Sequence, residues 1–189
     1  MSGVGLCGVA QRERAQKLHY ADRLAKIVSM EPPDSRYVDA AKGWCELHAF
    51  LEAEAELDKI DPKFRAHHSV LEVRWQVCAN LGKWDGALDI ANAIVTITPD
   101  CASGWIYKAS SLNELNRHRE AYETLRTAAE RFASDEIIRY DLACVCCASN
   151  RVDEARTWLV RAIAAGGDQV KRRALEDPDL KPVNAKPPT

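Results

Sequence analysis

The sequence predicts an all-α stack of helical hairpins, and three observations carry that prediction. Its 189 residues hold only 9 Gly and 8 Pro, with 29% charged residues spread along the chain, a composition that leans to helix. Apolar residues recur at helical spacing, as in Leu71, Trp75, Cys78 and Leu81 and then Ala87, Ile90, Ala91 and Ile94, with a short polar break between the two runs. Ala87, Ala121 and Ala155 recur at a spacing of 34, each following a turn-forming Gly82, Asn116 or Asn150 by five.

The opening MSGVGLCGVA is small and apolar but lacks the basic segment and cleavage site of an export signal, so it reads as a frayed terminus. Ala10 to Met30 reads as one amphipathic helix, with Leu18, Ala21, Leu24, Ala25 and Val28 on a stripe among Arg12, Arg14, Lys17, Arg23 and Lys26. It is expected to cap the first hairpin, the alternative being a basic arm or a dimer helix. The tail and helix together make up residues 1–33, broken from the rest by Glu31-Pro32-Pro33-Asp34. Residues 34–167 divide by the repeat into four helix pairs, 34–67, 68–101, 102–135 and 136–167.

Aligned columns support that division: Trp75, Ala109, Ala143; Cys78, Leu112, Cys146; Ala91, Leu125, Leu159; and Ile94, Ala128, Ala162. Stepping back by one more period recovers the first pair, where Tyr37, Ala41, Trp44, Phe50, Ala53, Leu57 and Ile60 fill the same columns and Pro62 shortens the second helix. Gly82, Asn116 and Asn150 tolerate the left-handed backbone that closes a helix. Asp85 or Asp153 is expected to cap the helix that follows, and Pro99 ends a pair because it lacks an N–H. In residues 168–189, Asp168 to Leu175 forms a shorter capping helix ended by Pro178. KPVNAKPPT follows as a disordered tail, too poor in apolar residues to offset the entropy of ordering.

Charge and motifs then narrow the function. Lys+Arg 26 against Asp+Glu 28 gives no field to hold a polyphosphate backbone or an anionic bilayer, which excludes general nucleic-acid and membrane-surface binding. No apolar run approaches the roughly 20 residues needed to span a bilayer. Seven cysteines, scattered mostly through helical stretches, point to a reducing compartment. A small chain in which no targeting segment is read is expected to be cytoplasmic, with a bacterial source as the expectation. No phosphate loop, nucleophile elbow or H-E-x-x-H motif occurs, so the expectation is a protein that is not an enzyme and needs no cofactor or metal.

Four local features have bland readings. Cys144-Val145-Cys146-Cys147 contains a C-x-x-C spacing but lies mid-helix, away from the helix start that lowers a thiolate pKa. It is read as core filling, with thiol redox or metal binding through Cys144 and Cys147 as the alternative. His67 and His68 are neighbours that point to different faces at a helix start, and Glu52, Glu54, Glu56, Asp58 and Asp61 form the wet face of a helix. Trp44, Trp75, Trp84, Trp105 and Trp158 fall largely in repeat columns and are read as packing residues.

With Trp105, Lys108, Ala109, Leu112, Ala121, Leu125 and Ala128 in place, the chain resembles the tetratricopeptide repeat family, whose pattern these residues match best. Leu71 and Arg139 stand where that pattern has tryptophan, Trp75 stands where it is usually small, and Ala133 and Gly167 replace the closing proline represented by Pro99. The resemblance implies a right-handed α-solenoid whose first helices line a concave groove. Carried over, the groove rows are Val38, Glu72, Ile106, Tyr140; Asp39, Val73, Tyr107, Asp141; Lys42, Gln76, Ser110, Cys144; and Cys45, Ala79, Asn113, Cys147.

The expected binding residues are Lys42, Glu72, Gln76, Ile106, Tyr107, Ser110, Asn113, Tyr140, Asp141, Cys144 and Cys147. Tyr107 and Tyr140 offer contact area at low entropy cost, and Gln76, Asn113 and Ser110 can bond a peptide backbone. Some members of the family grip acidic chaperone tails with a basic clamp; here only Lys42 is basic, and Glu72 and Asp141 repel a carboxylate. The expected function is non-catalytic binding of a peptide or helix of another protein, with a homo-oligomeric assembly role as the alternative.

Overall fold

The computed structural model describes residues 30–184, in which nine α-helices and no strand occur. The frayed start and nearly all of the amphipathic stretch 10–30 lie outside the described residues. Four hairpins follow in order. They are α1 (Asp34–Glu46) with α2 (Phe50–Asp58), α3 (His68–Asn80) with α4 (Trp84–Ile97), α5 (Ala102–Glu114) with α6 (His118–Arg131), and α7 (Glu136–Ala148) with α8 (Val152–Glu176). Each helix packs on its neighbours in sequence, and first helices also touch across pairs, α1 on α3 and α5 on α7. The result is an all-α solenoid.

The hairpin turns share one chemistry. His48, Gly82, Asn116 and Asn150, one per repeat, adopt φ of 57°, 69°, 58° and 59°, the left-handed conformation that closes a helix. The N–H of the next residue reaches back to the carbonyl of Trp44, Cys78, Leu112 or Cys146 at 2.8–2.9 Å, satisfying a helix-end acceptor. His48 completes a series of which the sequence announced three members. The expected caps are corrected: the N-cap positions are Lys83 and Arg151, with no side-chain bond. Asp85 and Asp153 sit inside the first turn, where a carboxylate favours the helix dipole.

Ala53, Ala87, Ala121 and Ala155 are all fully buried, so the recurring alanine marks the place where helices approach most closely. Gly104 adds a second tight crossing, because a Cβ there would meet the Ile94 Cγ2 at 2.8 Å and the Val95 backbone nitrogen at 3.1 Å. The first pair is tied across its ends by buried Asp34, whose carboxylate accepts the Asp61 N–H at 2.8 Å. Its second helix stops at Asp58, and a 3-10 turn, Pro62–Phe64, leads to α3.

Two readings of packing change. Trp75 is half-buried where its column mates Ala109 and Ala143 are buried, and Trp44 is 38% exposed, so these tryptophans are not core residues. A large ring cannot occupy a helix crossing sized for alanine, and Trp75 turns instead towards the inner wall. The second change concerns the C-terminus. Helix α8 breaks at Gly167 (φ 66°, ψ −151°), so that residues 168–176 turn to cover the fourth pair. After a 3-10 turn, Pro178–Leu180, residues 181–184 of the expected tail form a short helix, α9, and residues 185–189 lie outside the described residues. Leu180 and Val183 are buried in the cluster that contains Tyr140 and Cys147, and the Asn184 side chain donates to the Ala174 carbonyl at 2.8 Å. Two apolar residues three apart suffice for this, because the apolar face they cover already exists.

Candidate functional site

Helices α1, α3, α5 and α7 form the inner wall, which carries two hollows. The first, of about 410 Å³, lies over α1, α3 and α5 and is lined by Lys42, Glu46, Glu72, Val73, Trp75, Gln76 and Tyr107. Trp75 and Tyr107 stack with ring centroids 4.1 Å apart and planes 15° from parallel. The stack is locked from behind: the Trp75 indole N–H donates to Ser111 Oγ at 3.0 Å, and the fully buried Ser111 hydroxyl donates to the Tyr107 carbonyl at 2.8 Å. A rigid aromatic pair of this kind offers contact area with little rotamer entropy left to lose.

Charge on this floor is also fixed in place. His68 Nε2 lies 3.2 Å from Glu72 Oε1. Thr98 Oγ1 lies 3.0 Å from His68 Nδ1 and 3.1 Å from the Ile94 carbonyl oxygen. The His68 hydrogen bond holds the Glu72 carboxyl below its ordinary range against the opposing effect of burial. Burial, with Glu72 nearby, pushes the Tyr107 phenol up and keeps it neutral.

The second hollow, of about 190 Å³, lies between α5 and α7 and is closed by the C-terminal segment, with Ser110, Asn113, Asp141, Cys144, Arg173 and Asp177 among its walls. Asn113 Oδ1 lies 2.9 Å from His118 Nδ1. Burial pushes the Asp141 carboxyl up to about 7, with Asp135 and Asp177 adding to the rise and Arg173 opposing it. Burial also drives the Cys144 thiol far above its ordinary value and Cys146 up to about 11, and it raises Cys147. Protonated thiols are poor nucleophiles and poor metal ligands, the opposite of what redox chemistry needs. No His, Cys, Asp and Glu grouping fit for a metal ion occurs among the described residues.

The expected binding residues thus separate. Lys42, Glu72, Gln76 and Tyr107 come together in the first hollow, and Ser110, Asn113, Asp141 and Cys144 in the second. Tyr140 is 2% exposed, its hydroxyl donating to Asp177 Oδ2 at 2.5 Å and its ring covered by the Arg173 guanidinium at 4.3 Å. Cys147 is buried in the same cluster, and Ile106 packs against the core of α5 to α7. The capping segment covers Tyr140 and Cys147, although Tyr140 still lines the second hollow, whereas Ile106 packs between neighbouring hairpins. Sequence reasoning missed Trp75 as a groove residue, although a bulky ring in a column of small residues was the available signal. It missed Arg173, Asp177 and Asp179 because nothing local says where a chain lands after a turn.

A tetratricopeptide repeat family model matches residues 112–175. No curated protein matches the sequence significantly. Among solved structures, MamA (residues 41 to the end) from Desulfovibrio magneticus RS-1 aligns at 14% identity with a TM-score of 0.63, covering 82% of this chain and 92% of that one. A putative kinesin light chain of Podosopora anserina with nearly identical repeats aligns at 19% identity and 0.58, covering 80% and 82%. YrrB, described as a tetratricopeptide protein with an unusual peptide-binding site, aligns at 13% identity and 0.56, covering 78% and 80%. Residues 112–175 are thus similar in sequence to tetratricopeptide repeats, and the chain has the all-α solenoid fold of the solved repeat structures it aligns with.

Proposed function

We propose that this protein is a non-catalytic interaction module that holds an extended segment or helix of another protein against its inner wall. The observation that carries the reading is the Trp75–Tyr107 stack, locked through Ser111 and opening onto the larger hollow beside Glu72 and Gln76. A stacked aromatic anchor accepts an apolar or proline-like side chain, while Gln76 and Lys42 supply bonds for a backbone. The peptide-binding site for which YrrB is described supports the reading by likeness of fold. Neither nucleic acid nor membrane belongs in it, because the chain carries 26 basic against 28 acidic residues and the hollow itself mixes both signs. No helix among the described residues is long and apolar enough to cross a membrane.

The test is capture of the partner from the native host, followed by titration with the Tyr107→Ala protein. The expected loss is more than about 1 kcal/mol of binding, roughly fivefold or greater, with an unchanged helical circular dichroism spectrum. Undiminished affinity in a folded variant would rule the groove out. Light scattering addresses assembly from copies of this chain, since a monodisperse monomer is incompatible with that role.

A further inference from the structure

The inner wall is already occupied at one end. On α7, Tyr140 and Cys147 stand at groove positions of the repeat, and the chain's own C-terminal segment, Asp177 to Asn184, lies against them. Its contacts have a definite pattern. Leu180 and Val183, three apart, are buried in the cluster that holds Tyr140, Ala143 and Cys147. Three places ahead of Leu180, Asp177 accepts the Tyr140 hydroxyl at 2.5 Å on one carboxylate oxygen and the Asp179 N–H at 2.9 Å on the other. One side chain thus grips the wall and starts the turn. The Val183 backbone N–H bonds to the Cys147 sulfur.

Away from these contacts the segment is lightly held. Leu180 and Val183 are its buried residues, Asp177 is half-buried, and Pro178, Asp179, Lys181, Pro182 and Asn184 are exposed. The Asn184 side chain donates to the Ala174 carbonyl at 2.8 Å, which ties the end of the segment to the cap rather than to the wall. Every ordered residue loses conformational entropy, and here two aliphatic side chains must offset that loss for the whole segment. It therefore belongs to the low-stability end of the fold and opens before the helices do.

We infer that the inner wall of α7 is a seat for a short helical turn carrying an acidic residue, a leucine-like residue three places on and a second aliphatic residue three further, and that the C-terminus fills this seat until a partner segment of the same pattern displaces it. The inference rests on the groove reading above and adds the partner's pattern and the competitor it meets. An acidic residue suits the seat because the Tyr140 hydroxyl needs an acceptor once Asp177 leaves, and the Arg173 guanidinium lies over the same ring. Asp141 opposes that anion, so the apolar pair supplies most of the holding. Displacement also takes Asp177 and Asp179 out of the walls of the second hollow, opening it along Ser110, Asn113 and Cys144.

A fluorescein-labelled peptide of residues 175–184 is the probe, titrated by anisotropy into the full chain and into the full chain carrying Leu180→Ser and Val183→Ser, which frees the seat. The peptide is expected to bind the substituted chain about tenfold or more tightly than the unsubstituted one, and about tenfold or more tightly than a peptide bearing the same two serines. Equal affinity for the two chains or for the two peptides, in a substituted chain of unchanged helical circular dichroism, would overturn the inference. Hydrogen exchange of the unsubstituted chain tests it without that variant. The Leu180 amide, bonded to the Asp177 carbonyl at 3.2 Å, is expected to exchange about a hundredfold or more faster than the Ala143 and Cys146 amides of α7. Equal rates would contradict the inference, since a segment that opens only with the whole fold cannot yield its seat. Failure here leaves the Tyr107→Ala result standing, and failure at Tyr107 leaves peptide binding at α7 unchanged, so the two are distinguishable.

Discussion

Burial raises the Asp141 carboxyl above its ordinary value, and the consequence for stability has a definite sign. Its folded-state value near 7 lies above the ordinary carboxylate range, so the folded protein holds the proton more tightly than the unfolded chain. Stability is therefore highest while both states are protonated, and falls as pH rises from about 4 through 7. A tenfold difference in proton affinity corresponds to about 1.4 kcal/mol before screening by solvent, which reduces it at a hollow open to the groove. Asp141→Asn is expected to raise the unfolding free energy by about 1–2 kcal/mol at pH 8 and by little at pH 4, read by urea denaturation. An equal gain at both pH values would show that charge is not the cause. The sequence marked Asp141 as a groove residue, but its environment depends on Arg173 and Asp177, which the kink at Gly167 and the turn after α8 bring over it.

The helix turns and crossings are the scale at which the repeat is written. His48 adopts φ 57° without being glycine, which costs about 1 kcal/mol for a side-chain-bearing residue. His48→Gly should stabilise the protein by about 0.5–1 kcal/mol even though it gives up the edge contact between His48 and Phe50, and His48→Val should destabilise it by a comparable amount. Thermal melts of the two variants check this; a lowered melting temperature for the glycine variant would contradict it. At a crossing, Ala121 has no exposed surface, and Ala121→Leu should cost about 1–3 kcal/mol through overpacking. The same change at exposed Ala165 should be nearly neutral, and equal denaturant midpoints for the two would undo the assigned register. Turns at Gly82, Asn116 and Asn150 were legible because those residue types favour positive φ. A histidine carries little such signal, and only the spacing of 34 reveals His48. The caps were misjudged because Asp85 and Asp153 have the right chemistry but stand just inside the first turn.

For the whole molecule, stacking of equivalent hairpins does what a single hairpin cannot: it buries Val73, Leu112, Leu125 and Leu142 between neighbours and leaves an inner wall with two hollows. That architecture was readable because periodicity survives substitution, with the small alanine kept in every pair while other columns vary. The groove was legible only in part. Wall residues follow from the repeat, but the division into an aromatic hollow and an acidic one follows from Trp75 and from the folded-back C-terminus, which are departures from the repeat. Occupation of the inner wall is read by following the indole N–H resonances of the full protein by NMR as the captured partner is added. Trp75 is expected to shift saturably while Trp158, on the outer helix α8, does not; a shift at Trp158 with Trp75 unmoved would contradict binding at the groove.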